Sequence, residues 1–172
     1  MKKILMLLIL FFCVQIEAQK RTMVLSGNIG LMVPIGDFGE VTRTGIGGTA
    51  NLRYLLSEEV EIIGVFGYLL SGSKILQFTN KVLPGLIGCR FYPVGKFDQL
   101  IKPYLSGLAG FQYTKIGFSR WSFDSKTYYG ASIGGGFLYG ISEKLDLDVG
   151  LSIYLMDKAS YITFMVGLSS PL

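Results

Sequence analysis

Histidine is absent from all 172 residues. That removes the usual general base, the commonest zinc ligand and any Ser-His-Asp arrangement at once. No spacing of carboxylates or lysines nominates another acid–base pair, so the chain is expected to have no catalytic residues, no metal site, no cofactor and no enzymatic activity. Cysteine occurs twice, as Cys13 and Cys89. Long apolar runs are equally scarce: the longest, Ile4–Val14, has eleven residues, whereas a membrane-spanning helix needs about 20. Lys and Arg total 16 against 12 Asp and Glu, and no basic cluster follows the N-terminus, which excludes a nucleic-acid footprint.

What stands at the N-terminus is an export signal. Lys2 and Lys3 precede the apolar stretch, and Glu17-Ala18-Gln19 supplies a cleavage region after Ala18. Phe11 and Phe12 occupy the places before Cys13 where a lipoprotein signal has small residues. Residues 1–18 are therefore expected to be a signal peptide, and 19–172 a single exported domain. Cys89 is then the only thiol left, so no internal disulfide forms in the oxidising compartment.

The rest of the chain is dominated by alternation. In Leu145-Asp146-Leu147-Asp148-Val149-Gly150-Leu151-Ser152-Ile153-Tyr154-Leu155 every odd position is aliphatic. A strand sends successive side chains to opposite faces, so one face here is greasy and the other carries two carboxylates. Similar segments are Met23–Val33, Ile46–Leu55, Val60–Leu70, Val82–Tyr92, Lys102–Tyr113, Thr127–Tyr139 and Tyr161–Ser169. Each approaches the ~9–11 residues that a tilted strand needs to cross a bilayer. Short connections at 56–59, 93–101 and 140–144 mostly alternate with longer ones at 34–45, 71–81 and 114–126. That asymmetry suits a barrel with short periplasmic turns and long external loops. The repeated Ser-Glu turn before an apolar-acidic-apolar start, at Ser57-Glu58 and Ser142-Glu143, fits the same up-and-down plan. Gly134-Gly135-Gly136 is not a phosphate cradle, because it lies within an aromatic strand rather than before a helix.

Two alternatives follow from the alternation: a soluble sandwich with the aliphatic faces inside, or a membrane barrel with those faces in lipid. The greasy faces, among them Leu25, Ile29, Ile62, Phe66, Ile87, Phe111, Ile133, Phe164 and Leu168, carry no charge. The opposite faces favour Gly, Ser, Asn and Tyr instead of the Lys and Glu of a water-exposed sheet, which suits a crowded polar lumen. Phe66, Tyr68, Phe91, Tyr92, Tyr113, Tyr129, Phe137 and Tyr139 sit toward strand ends, as an interfacial aromatic girdle would.

With its opening Gly30-Leu31-Met32-Val33-Pro34-Ile35-Gly36-Asp37-Phe38, the chain resembles the small OmpA/OmpX-like outer-membrane β-barrel proteins of Gram-negative bacteria. The resemblance implies an all-β, eight-stranded, antiparallel up-and-down transmembrane barrel in the outer membrane, in contact with outer-membrane lipid and lipopolysaccharide. Barrels of that kind usually end on Phe or Trp, whereas this chain ends Ser169-Ser170-Pro171-Leu172. Barrels that modify outer-membrane lipids typically use a catalytic His that is missing here. The alternative is a binder of small hydrophobic ligands, either a lateral-transfer outer-membrane barrel or a periplasmic lipocalin-like protein.

Two constellations are candidate sites. A hairpin centred on Ser57 pairs Arg53 with Glu61, and Arg90 and Asp146, with Asp148 nearby, belong to the same end of the lumen. Burying these charges favours a closed ion network, either a plug or a gated polar path. The second is the loop 114–126, where Lys115, Phe118, Arg120, Trp121 and Phe123 form an aromatic and basic group. It suits either anchoring at the membrane interface or contact with an envelope protein partner.

Overall fold

The computed structural model describes residues 23–74, 79–94, 100–118, 121–142 and 144–172, without the side chains of 116–118 and 121–124. The expected signal peptide lies outside these residues. Eight strands follow one another: β1 (Met23–Pro34), β2 (Thr42–Leu55), β3 (Val60–Ser73), β4 (Thr79–Phe91), β5 (Ile101–Phe118), β6 (Trp121–Ser142), β7 (Leu145–Met156) and β8 (Tyr161–Pro171). A six-residue helix, α1 (Gly36–Val41), lies between β1 and β2 where a plain loop was expected. Every strand pairs antiparallel with its sequence neighbour, and β8 returns to β1 to close the barrel. The alternation thus placed all eight strands.

Their lengths were underestimated on one side. The expected loop 114–126 is largely strand: Thr114 pairs with Lys126, Lys115 with Ser125 and Phe118 with Trp121. Pairing of β6 with β7 starts only at Gly130–Met156. Residues 121–129 are therefore paired on one edge alone and rise past β7, while β5 keeps β4 beside it as far as Gly117. Serine, aspartate and lysine there obscure the apolar rhythm that marks the rest of the strand.

Closure fixes the geometry. From Leu31, register partners lead through Ile46, Leu70 and Lys81 to Lys115 on β5, and in the other direction through Phe164, Leu151 and Gly135 to Leu105 on β5. These end points are ten residues apart, which tilts the strands by roughly 40° for ordinary strand spacings. Pro84 lacks an amide hydrogen, and the β3–β4 ladder skips Gly67 and Tyr68 opposite it.

The outward face is apolar over most of the strands' length, with Ile29, Phe66, Ile87, Ile133 and Leu151 all exposed. Tyr92 departs from the expected girdle. It lies one step beyond β4, and its even-numbered position turns it into the lumen, where it is fully buried. The lumen is not polar throughout, as had been expected. Its half nearest the hairpin is mainly apolar, built from Met32, Val65, Leu69, Val82, Met156 and Tyr161 with the Tyr154 and Tyr161 rings stacked at 4.5 Å, and its buried polar side chains include the hydrogen-bonded pairs Asn80–Thr42 and Gln112–Thr114. Phe38 of α1 closes that end. It is held by the Ile35 amide donating to Ser160 O at 3.0 Å and the Lys74 amide donating to Val41 O at 2.9 Å.

Inward glycines allow this close packing. A Cβ on Gly88 would run into the backbone of Gly107 and Leu108 on β5, whereas one on the outward Gly27 meets nothing within 4 Å. Gly88→Ala is expected to destabilise the barrel by about 1–3 kcal/mol, while Gly27→Ala leaves stability unchanged or slightly raised. Urea unfolding midpoints of the refolded variants check this contrast.

Candidate functional site: a charged plug in the lumen

The end of the lumen that carries both β-strand termini, Met23 and Pro171, holds the charges. Arg53 on β2 and Glu61 on β3 are both fully buried, with Nη1 3.5 Å from Oε2. The hairpin between them is centred one residue later than expected: Leu55 stands opposite Glu61, and Arg53 opposite Ile63. The cause lies in the turn. Ser57 Oγ accepts the amides of Glu59 at 3.3 Å and Val60 at 3.1 Å, which makes residues 56–59 the connection. Arg53 and Glu61 are diagonal neighbours on the inward face and still meet.

Tyr92 completes this half of the plug. Its hydroxyl donates to Glu61 Oε2 at 2.7 Å and accepts from Arg53 Nη1 at 3.2 Å. Across the lumen, Arg90 on β4 donates through Nη1 to Asp148 Oδ2 on β7 at 3.2 Å. The Tyr104 hydroxyl donates to the other carboxylate oxygen at 2.7 Å. The Arg90 guanidinium also lies 3.6 Å from the centre of the Tyr104 ring, a desolvated cation–π contact. Tyr92 and Tyr104 meet edge to face at 6.2 Å, so the two halves touch.

Asp146 lies at this end too, as expected, but is not the partner of Arg90. One inward step nearer the strand termini than Asp148, it pairs instead with Lys102 of β5 at 3.1 Å, in a half-buried site. The tilt of the strands decides the matter, because it sets Arg90 level with Asp148. Sequence reasoning missed Lys102, Tyr92 and Tyr104 as members of the site. The signal was strand parity: Lys102 and Tyr104 share one face of β5, and Tyr92 continues the face of Arg90.

Among the described residues, three cations and three carboxylates of the lumen thus pair. A cavity of about 50 Å³ lies between the plug and the apolar half, lined by Asn28, Asn51, Arg90, Tyr104 and Asp148 among others. Asn28 Oδ1, Asn51 Oδ1 and Arg90 Nε have no protein partner. Free donors and acceptors around a space of that size suit a few water molecules, not an organic ligand. No group of three or more metal-ligating side chains occurs among the described residues.

The second constellation is placed only in part. Lys115 is exposed. Phe118, Trp121 and Phe123 are strand residues at the hairpin tip whose side chains lie outside the described set, and Arg120 lies outside the described residues.

Removing one partner of a buried pair strands the other charge. Arg90→Met is therefore expected to cost about 3–5 kcal/mol, and Arg90→Met with Asp148→Asn to recover part of that loss. Lys102→Met, in the half-buried pair, should cost no more than about 1 kcal/mol. A double-mutant cycle from unfolding midpoints measures the coupling; strictly additive effects would contradict the pairing.

The sequence matches no family model and no curated protein. Solved structures do match. Neisserial surface protein A superposes with a TM-score of 0.66 at 12% identity, over 88% of this chain and 99% of that one. The outer membrane protein OprG from Pseudomonas aeruginosa gives 0.64 at 14% identity, over 88% and 95%. Ail, the attachment invasion locus protein of Yersinia pestis, in complex with the heparin analogue sucrose octasulfate, gives 0.60 at 15% identity, over 88% and 97%. At these identities the likeness is one of architecture: the chain has the fold of the small eight-stranded outer-membrane β-barrels.

Proposed function

We propose that this protein is an integral outer-membrane barrel without enzymatic activity, whose lumen is closed and whose exposed hairpin contacts a partner. In this reading Met1–Ala18 is a signal peptide removed on export, the strand termini and short turns face the periplasm, and the β5–β6 hairpin faces outward. The observation that carries it is the outer face of the barrel. An uncharged belt runs around the circumference, with large side chains such as Ile29, Phe66, Ile87 and Tyr129 at least 65% exposed. In water such a surface would aggregate, whereas hydrocarbon accepts it.

The lumen supports a structural role over transport. Charged side chains fill it at one end and apolar and neutral polar ones at the other, and the space left between them is about 50 Å³. Small-molecule sites are typically ~300–1,000 Å³, so a hydrophobic ligand carried inside, as in a lipocalin-like protein, finds no room. Interaction is left to the outside. Residues 121–129 offer a strand edge not used by the barrel, the kind of edge to which an extended segment of a partner protein adds as a further strand. Phe118, Arg120, Trp121 and Phe123 at the tip would give such a contact its anchors.

Orientation is tested by labelling. In a Cys89→Ser background, Ser125→Cys should react with a membrane-impermeant maleimide on intact cells and Glu58→Cys should not; the reverse pattern would overturn the reading. Insertion is tested on β7. Leu151, 52% exposed, lies at mid-height of the belt, and Leu145 at its edge. Leu151→Arg should cost about 2–4 kcal/mol in a bilayer and Leu145→Arg at most about 1 kcal/mol, measured by unfolding from lipid vesicles. Equal losses would point to a soluble protein.

A further inference from the structure

Immediately beyond the belt, on the side of the protruding hairpin, the outer face changes character. Lys81 on β4 and Lys115 on β5 are direct register partners, and both are exposed. They share the outward parity of Leu83 and Tyr113, the next pair toward the belt. A third cation joins them. A Cβ on Gly72 would meet Arg43 Cδ at 3.8 Å, so the Arg43 side chain lies along β3 where Gly72 pairs with Thr79, one outward step from the Leu70–Lys81 pair. None of the three forms an ion pair with a described residue. The described parts of β2–β5 beyond the belt contain no Asp or Glu; Asp37 and Glu40 belong to α1, and Asp124 of β6, whose side chain lies outside the described set, stands opposite Ile116.

Like charges directly opposite each other on a sheet repel. Two register-paired lysines, with an arginine alongside and no carboxylate between them, make a surface that an anion completes. Its position identifies the anion. The cations sit at the margin of the apolar belt, with Leu83, Tyr113 and Leu70 directly beneath, at the level where an outer-leaflet lipid carries its headgroup.

We propose that Arg43, Lys81 and Lys115 form a binding site for the phosphate groups of an anionic outer-leaflet lipid of the lipid A type, whose acyl chains lie on the apolar face below. This rests on the membrane reading given above. The test uses the full barrel in phosphatidylcholine nanodiscs, alone or with bisphosphorylated lipid A, dephosphorylated lipid A or inorganic phosphate. Native mass spectrometry reads lipid retention, and thermal unfolding reads stability.

Bisphosphorylated lipid A should be retained and raise the unfolding temperature, and the dephosphorylated form should not. Lys81→Gln with Lys115→Gln should weaken retention by roughly five-fold per lysine. In phosphatidylcholine alone the sign reverses: Lys81→Gln should unfold at or above the wild-type temperature, because it relieves the repulsion. Equal retention of the two lipid A forms, or equal retention by wild type and double variant, overturns the site. Stabilisation by inorganic phosphate equal to that by lipid A overturns the headgroup assignment in favour of a free-anion site. Failure of the wild type to enter a bilayer overturns the membrane reading and the site together.

Discussion

Closing eight antiparallel strands with a ten-residue stagger is the constraint on which everything else in this structure depends. It removes every free edge along the barrel wall and fixes the tilt. It also leaves a lumen that side chains from the facing walls just fill. Whatever points inward must therefore pack or pair, because no bulk water is present to solvate it. The fully buried Arg53 and Glu61 follow from this: each charge in the lumen requires a partner at a height set by the stagger.

The lumen meets that requirement in two ways. Toward the strand termini it uses paired ions, with the Tyr104 hydroxyl taking the Asp148 oxygen that Arg90 does not reach and the Tyr92 hydroxyl sharing Glu61 Oε2 with Arg53. Toward the hairpin it uses mainly apolar packing, with neutral polar side chains paired by hydrogen bonds, sealed by Phe38 from α1. The charged half gains specificity of register more than net stability, since bringing ions out of water offsets much of their attraction. A one-step slip of β4 would turn Arg90 away from the lumen, and one of β7 would turn Asp148 away, leaving the other charge unpaired. The apolar half supplies favourable burial without such selectivity.

The outer surface is graded. An uncharged belt occupies the middle, a basic arc borders it on one side, and β6 continues past the start of β7 with one edge unpaired. Each zone is made from the same outward positions of the same strands. The transition from belt to arc takes a single alternation step, from Leu83 and Tyr113 to Lys81 and Lys115. So abrupt a change suits a boundary between hydrocarbon and headgroups.

The strand count, the antiparallel order and the inward or outward sense of nearly every residue were legible in the sequence, because side-chain alternation is a local property with a fixed period of two. Arg53, Glu61, Arg90, Asp146 and Asp148 were recognisable as lumen charges for the same reason. Their partners were not. The pairing of Arg90 with Asp148, and of Asp146 with Lys102 instead, depends on strand tilt, a property of the closed sheet that no single strand carries. Tyr92 resembled an interfacial aromatic until the end of β4 turned it inward. The apolar half of the lumen was hidden because segments such as Ile62-Ile63-Gly64-Val65-Phe66 are apolar on both faces, so alternation had nothing to distinguish. The extension of β5 and β6 was hidden because polar residues on both faces erase the same signal. The sequence alone thus determined that eight antiparallel strands form and which way most of their side chains face; the tertiary structure decided who meets whom across the lumen, because that follows from the stagger at which the sheet closes.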